Sequence, residues 1–239
     1  MSQDIMPLGD RALLVNFEQV IDPDIHRQVI DLSAKIEGKA IDGISFVQPA
    51  YCSLTVGYNP EEIRYQVLKP ILMDLLKQPP SDFELPSRLL TLPVCYEEPF
   101  SLDLLQLSKV SGLKSNEIIK LHTAETYRTY LLGFLPGFPY LGVLPKPLQF
   151  PRKNSPRLNV PERSVGIAGE QTGIYPTQSP GGWNILGSTP LPIFNSEWDN
   201  QFLLKPGDRV KFHAISISEY QQMEAEVQNG TFIWESIYG

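Results

Sequence analysis

The chain has 239 residues, 42% of them hydrophobic and 20% charged, with a net charge of −7 and an isoelectric point near 5.0. This composition predicts a soluble globular protein with room for one large or two ordinary domains. The dispersed acidic excess argues against a nucleic-acid partner, which would need clustered Lys and Arg. The opening MSQDIMPLGDRALL has neither a basic n-region nor a long apolar core. No run of about 18 apolar residues follows, so neither a signal peptide nor a membrane span is expected, and the cytoplasm is the expected address. Cys52 and Cys95 each sit in an apolar, strand-like run and read as buried, reduced thiols rather than a disulfide or metal site.

In chain order, RALLVNF (Arg11–Phe17) reads as a strand. Asp22-Pro23 is a helix start, because Asp caps and Pro fits the first helical position. Ile25, Val29, Leu32 and Ile36 then mark one helical face, with the helix running to Lys39. Ile44–Val47 and Cys52–Tyr58 suggest a hairpin. Asn59-Pro60-Glu61-Glu62 looks like a second helix start, followed by an apolar face at Ile63, Val67, Ile71 and Leu75. Pro70 interrupts that helix, Gln78–Ser87 breaks it, and Arg88–Cys95 reads as a fourth strand. The resulting βαββαβ order predicts a ferredoxin-like α+β domain over residues 1–92, in architecture only.

Ser101–Val110 and Ser115–His122 read as two short helices split by Gly112. Strands are then expected at Tyr130–Phe134, Ser164–Ala168, Gly173–Tyr175, Asn184–Gly187, Leu191–Phe194 and Arg209–Ala214. Many short strands at close spacing suggest a closed barrel or sandwich over residues 93–239. Ser218–Val227 reads as a helix, and FIWESIYG as a final strand or docked tail.

Glycine, proline and aromatic residues crowd Gly133–Trp183, from GFLPGFPYLG through PRKNSPRLNVP to SVGIAGEQTGIYPTQSPGGW. Such density disfavours helix, while the interleaved aromatics exclude a solvated linker. Phe138, Tyr140, Tyr175 and Trp183 therefore either line a groove or belong to the core. Gln171 sits in a turn from which it could bond a substrate amide. Arg152 and Arg157 suit a carboxylate or phosphate, or equally an acidic neighbour. The chain has three histidines, His26, His122 and His213, and no GxSxG, HExxH or GxxxxGK[ST] pattern.

Those same stretches, with SPGGWNILG and LLKPGDRVKF, resemble the family of the B-type subunit of 5-oxoprolinase, also called allophanate hydrolase subunit 1, which includes a sporulation histidine-kinase inhibitor. The resemblance is densest from Leu121 to Phe212 and weaker, though consistent, before it. It implies a small N-terminal domain and a C-terminal cyclophilin-like β-barrel. It implies a non-autonomous subunit that works with A- and C-type partner subunits in the ATP-dependent opening of 5-oxoproline to glutamate. ATP would then be bound in a site shared with partners. A kinase-binding regulator and an allophanate- or urea-amidolyase-type hydrolase subunit are the alternatives. His122 resembles a family histidine, which makes it the catalytic candidate against a helix-end histidine stabilised by the dipole. Three departures stand out, one of them the loop after Cys95 (YEEPF), which is shorter than is usual in the family. Ser188 stands where the family pattern Gly-Arg-Thr-Pro has arginine, and Glu162-Arg163 replaces Ala-Gly in a VPAGSV-like loop. Arg163, Arg152 and Arg157 are the possible replacements for the missing guanidinium.

Overall fold

The computed structural model describes residues 4–81 and 88–239. Most of the Gln78–Ser87 helix breaker therefore lies outside the described residues. Two compact units are present, Met1–Glu84 and Leu85–Gly239.

The first unit runs β1 (Asp4–Pro7), β2 (Ala12–Asn16), α1 (Pro23–Lys39), β3 (Ile44–Pro49), β4 (Ser53–Tyr58) and α2 (Tyr65–Lys77). Its strands form one antiparallel sheet in the order β1-β2-β4-β3. Helix α1 begins as the sequence predicts: the Asp22 carboxylate accepts from the Asp24 and Ile25 amides at 2.8 and 3.1 Å. Leu13, Val15, Leu54 and Val56 pack with Val29, Leu32 and Ile36 of α1 and with Leu68, Leu72 and Leu75 of α2. Each fully buried leucine contributes about 1.5–3 kcal/mol.

Two expectations are corrected here. Asn59–Glu62 forms a turn closed by the Glu62 and Ile63 amides on the Asn59 carbonyl, and α2 starts only at Tyr65. Its buried face is Leu68, Leu72 and Leu75, while Val67 is exposed. The ferredoxin-like βαββαβ order is not found either: the order is ββαββα, and the fourth strand is β1. Asp4–Pro7 is too short to show a period, and its proline suits the edge position it takes.

The strand expected to close the first domain belongs to the second unit as β5 (Leu89–Cys95). There it pairs in parallel with β13 (Arg209–Ile215), from Leu89↔Arg209 to Cys95↔Ile215. Between them lie α3 (Leu104–Ser111), α4 (Ser115–Ala124), β6 (Thr126–Leu132), β7 (Pro139–Gly142), β8 (Arg157–Val160), β9 (Ser164–Ala168), β10 (Gln171–Ile174), β11 (Ser179–Gly181) and β12 (Asn184–Ser188); α5 (Ile217–Gln228) follows β13. Seven strands close a barrel in the order β10-β7-β6-β13-β5-β12-β9, and β8 and β11 form a separate pair. Leu191–Phe194, expected as a strand, makes only an isolated bridge from Phe194 to Phe202. The tail docks through a short 3-10 turn, Trp234–Ile237, and a bridge from Tyr238 to Leu90. The barrel is filled by Leu90, Leu92, Val94, Tyr127, Leu141, Val165, Ile167, Leu186, Val210 and Phe212. Cys95 is buried and Cys52 half-buried, both free thiols.

Candidate functional site

The glycine- and aromatic-rich stretch builds a second layer on the outside of the barrel wall. Along β10, Thr172 and Ile174 point inward and Gly173 outward, by the two-residue period of a strand. A Cβ on Gly173 would stand 2.8 Å from the Pro139 carbonyl oxygen and 3.0 Å from the Phe138 ring. The missing side chain therefore lets an aromatic ring lie against the sheet. Phe138 packs edge-on to Tyr175 and Trp183, with centroids 5.2 and 5.3 Å apart, and Val160 and Ile185 complete the cluster. Phe138, Tyr175 and Trp183 are buried, and Tyr140 is half-buried at the margin. Of the two readings open for these aromatics, the structure places three in a core.

Beside this layer, Asp103 organises the charged residues. It is buried just before α3, where its backbone amide and its carboxylate both bond β12. Its amide donates to the Ile185 carbonyl at 2.9 Å and its Oδ2 accepts from the Ile185 amide at 2.7 Å. Arg157 forks onto both carboxylate oxygens at 2.7 Å, and Lys153 Nζ donates to Oδ1 at 2.8 Å. Burial pushes the Asp103 carboxyl up, but the bonds from Arg157, Lys153 and the Ile185 amide outweigh it and hold the group below the usual carboxylate range. Arg157 is correspondingly raised by its bond to Asp103. Two cations on one carboxylate leave the triad with one net positive charge.

Arg152 is exposed next to the triad. Burial raises the Tyr140 and Tyr175 phenols, and the Arg152 charge opposes this at both. An open groove of about 470 Å³ runs between α3 and the loop before β8, lined among others by Leu107, Val110, Phe150, Arg152, Lys153 and Asn184. The Asn184 side-chain amide donates to the Pro151 carbonyl at 3.0 Å, which pins the loop to the barrel. Apolar walls with cations at one side suit an anionic group carried on an apolar body.

The remaining expected residues lie apart from this groove. His122 is fully buried inside the barrel, stacked on Phe212 at 4.7 Å. Its Nε2 meets Thr172 Oγ1 at 2.9 Å and its Nδ1 meets the Tyr96 hydroxyl at 2.8 Å. Thr172 donates its own proton to the Gly166 carbonyl, so Nε2 carries the imidazole proton and Nδ1 accepts from Tyr96. Burial lowers the imidazole pKa to about 3. Both ring nitrogens are occupied by neighbours, and the ring is neutral at physiological pH. That geometry favours the core reading of His122 over a proton-transfer role. Gln171 is half-buried on the β9–β10 hairpin, opposite Ala168 and Gly142.

Arg163 adopts the left-handed conformation, φ 64°, that glycine would take most easily in that loop. Its guanidinium donates to the Pro190 carbonyl at 3.2 Å and pairs with Glu224 at 2.9 Å, while Ser188 donates to the Arg163 carbonyl at 3.2 Å. Of the three candidate replacements, Arg163 is the one beside the Gly187–Pro190 segment. The sequence reading missed Asp103 and Lys153. Lys153 lies inside the PRKNSPR stretch, whereas nothing local in SLDLLQL sets Asp103 apart. No group of three or more His, Cys, Asp or Glu suited to a metal ion occurs among the described residues. Nor is any described helix long and apolar enough to cross a membrane.

Residues 3–204 match the family model for the carboxyltransferase domain, subdomains C and D. The chain is 38% identical over 232 residues to the B-type subunit of 5-oxoprolinase from Bacillus subtilis, covering 93% of this chain and 97% of that one. It belongs to the 5-oxoprolinase B-type family within that carboxyltransferase-domain group. Among solved structures, TTHA0988 superposes with a TM-score of 0.77 at 33% identity over 86% of this chain, which spans 40% of that longer one. The urea amidolyase of K. lactis superposes with a TM-score of 0.80 over 96% of this chain and 16% of its own length. At 22% identity, that likeness speaks for the fold alone.

Proposed function

We propose that this chain is one component of an ATP-dependent 5-oxoprolinase, inactive by itself, that completes its site with A- and C-type partner subunits. The observation that carries this reading is the near full-length match, in both directions, to the B-type 5-oxoprolinase component of Bacillus subtilis. The groove chemistry supports it. 5-Oxoproline is a small lactam ring with a carboxylate, and its methylenes suit Leu107, Val110 and Phe150 while its anion suits Arg152 and Lys153. Arg157 does not face a substrate in this reading. It holds Asp103, and through it the loop that presents Arg152 and Lys153.

A five-membered lactam is a poor electrophile, and ATP supplies the driving force for opening it. With His122 neutral and enclosed, the chain's share of the work is binding and orientation, worth up to several kcal/mol of barrier when reacting groups are held in line. The partners would supply the phosphoryl-transfer machinery, since this chain lacks a GxxxxGK[ST] loop. The test is 5-oxoproline-dependent ATP hydrolysis by the purified chain, with and without both partner subunits. The reading predicts turnover only in the complete mixture, and loss of most of it with Arg152→Ala.

A further inference from the structure

The tail of the chain and the loop before Phe202 meet beside Arg88 and leave a pocket of about 290 Å³, which shares no lining residue with the groove beside Asp103. Its aromatic walls are Trp198, Phe202, Trp234 and Tyr238, and Arg88 and Asn200 are its polar members. Two of the chain's three tryptophans are therefore here. The walls are held by backbone bonds. The loop is tied at its base, where the Asn195 amide donates to the Gln201 carbonyl and the Leu203 amide to the Ile193 carbonyl, both at 3.0 Å. Tyr238 is fixed by its bridge to Leu90. Trp198 and Trp234 stand nearly at right angles, with an interplanar angle of 81° and centroids 5.3 Å apart. Two such planes make a corner in which a flat ring stacks on one indole and meets the other edge to face. Both tryptophans are only half-buried and Tyr238 is 42% exposed, so this aromatic surface is open to an occupant.

The polar groups select among occupants. Arg88 Nε donates to Asp208 Oδ1 at 3.1 Å, and its Nη2 donates to Asp208 Oδ2 and, at 3.0 Å, to the Leu203 carbonyl. Asp208 is 1% exposed, so a buried carboxylate balances the guanidinium charge. Among the described residues no acid lines the pocket, and the guanidinium already occupies the cation position 5.7 Å from the Tyr238 ring, which disfavours an ammonium group. With Arg88 neutralised, a carboxylate or phosphate finds no charge partner in the lining either, so 5-oxoproline itself fits poorly. A plain phenyl ring would leave the Asn200 amide unused. A neutral heteroaromatic ring with donors and acceptors on its edge satisfies both the walls and the amide. We propose that this pocket holds a nucleobase, purine in preference to pyrimidine, stacked in the tryptophan corner and hydrogen-bonded at its edge by Asn200.

This inference stands on the pocket itself; under the enzymatic reading the base is that of ATP, with the phosphates held by the partners. The test is calorimetric titration of the full chain with adenosine, uridine, ATP and 5-oxoproline, with tryptophan fluorescence read alongside. Adenosine is expected to bind saturably, with a Kd below about 1 mM, and to change the tryptophan emission, and uridine to bind more weakly. Trp198→Ala is expected to raise the adenosine Kd at least tenfold, equivalent to about 1.4 kcal/mol, and Trp198→Phe to raise it less, because a ring remains. Asn200→Ala is expected to weaken adenosine too, and because Asn200 is exposed the melting temperature should hold. ATP should bind the isolated chain about as well as adenosine. Absence of saturable adenosine binding would overturn the inference, as would an adenosine Kd unchanged by Trp198→Ala. ATP binding without adenosine binding would overturn it in favour of a phosphate site, and 5-oxoproline binding that Trp198→Ala abolishes would overturn the base assignment. Adenosine binding by a chain whose complete mixture with both partners shows no 5-oxoproline-dependent ATP hydrolysis would spare the pocket and sink the enzymatic reading. Hydrolysis by that mixture without adenosine binding to the chain would do the reverse.

Discussion

Asp103→Asn probes the structural centre of the site. Asparagine keeps the shape and an acceptor for the Ile185 amide. It removes the charge that Arg157 and Lys153 share, and sets an amide donor against guanidinium donors. Breaking a buried ion pair from one side costs about 3–5 kcal/mol. Arg157 and Lys153 are 25% and 20% exposed, so both heads can recover some hydration, which points to the low end, about 3 kcal/mol. At roughly 2–4 °C per kcal/mol for a chain of this size, the melting temperature of the second unit should fall by about 6–12 °C. The pH dependence has a definite sign. Because the folded carboxyl lies below its usual range, the advantage of wild type over the variant is complete near neutral pH. It shrinks as pH falls below about 4, where the unfolded carboxyl takes up its proton, and on through the lower folded value. Thermal melts of both proteins at neutral pH and in mild acid measure this. A neutral-pH difference under about 0.5 kcal/mol would refute the view that Asp103 anchors the loop.

Three further outcomes follow from the same geometry. His122 should keep its Nε2 proton and stay uncharged throughout the physiological range, which nitrogen-detected NMR of the ring reads directly. Because its folded pKa is about 3 against 6.5 unperturbed, it should take about 1.4 kcal/mol of stability per pH unit away as pH falls below about 6.5. A ring that titrates near its ordinary value would contradict the enclosed bonding with Tyr96 and Thr172. Gly173→Ala should cost about 1–3 kcal/mol, measured by chemical denaturation, because the new methyl meets the Pro139 carbonyl and the Phe138 ring. Arg152→Ala and Arg157→Ala should separate: the first cuts complex activity at least tenfold, about 1.4 kcal/mol, on an intact fold, whereas the second also lowers the melting temperature.

Local signals in the sequence were read well where local physics decides. Asp22-Pro23 begins α1 in the structure, the Ser164–Ala168 strand matches residue for residue, and the two helices split by Gly112 are both present. Signals that depend on distant partners were not legible. Leu89–Cys95 is apolar on both faces, which fits either a small sheet or a barrel wall. Only its pairing with β13, more than a hundred residues away, assigns it to the barrel. The glycine–aromatic stretch was recognised as rigid and β-rich, but glycines that expose a groove and glycines that admit rings to a core look the same in sequence. The structure places Phe138, Tyr175 and Trp183 with the core. Asp103 sat in SLDLLQL as one acid among 27 Asp and Glu, and nothing nearby announced Lys153 and Arg157 as its partners, about fifty residues on.

The central claim is that this chain acts as one non-autonomous component of a 5-oxoprolinase. Its most direct measurement is ATP hydrolysis as a function of 5-oxoproline, first with the chain alone, then with each partner subunit, then with both. The account predicts substrate-dependent hydrolysis in the complete mixture and in no other. Full turnover by the chain alone, or none in a complete mixture of demonstrably folded subunits, would contradict it.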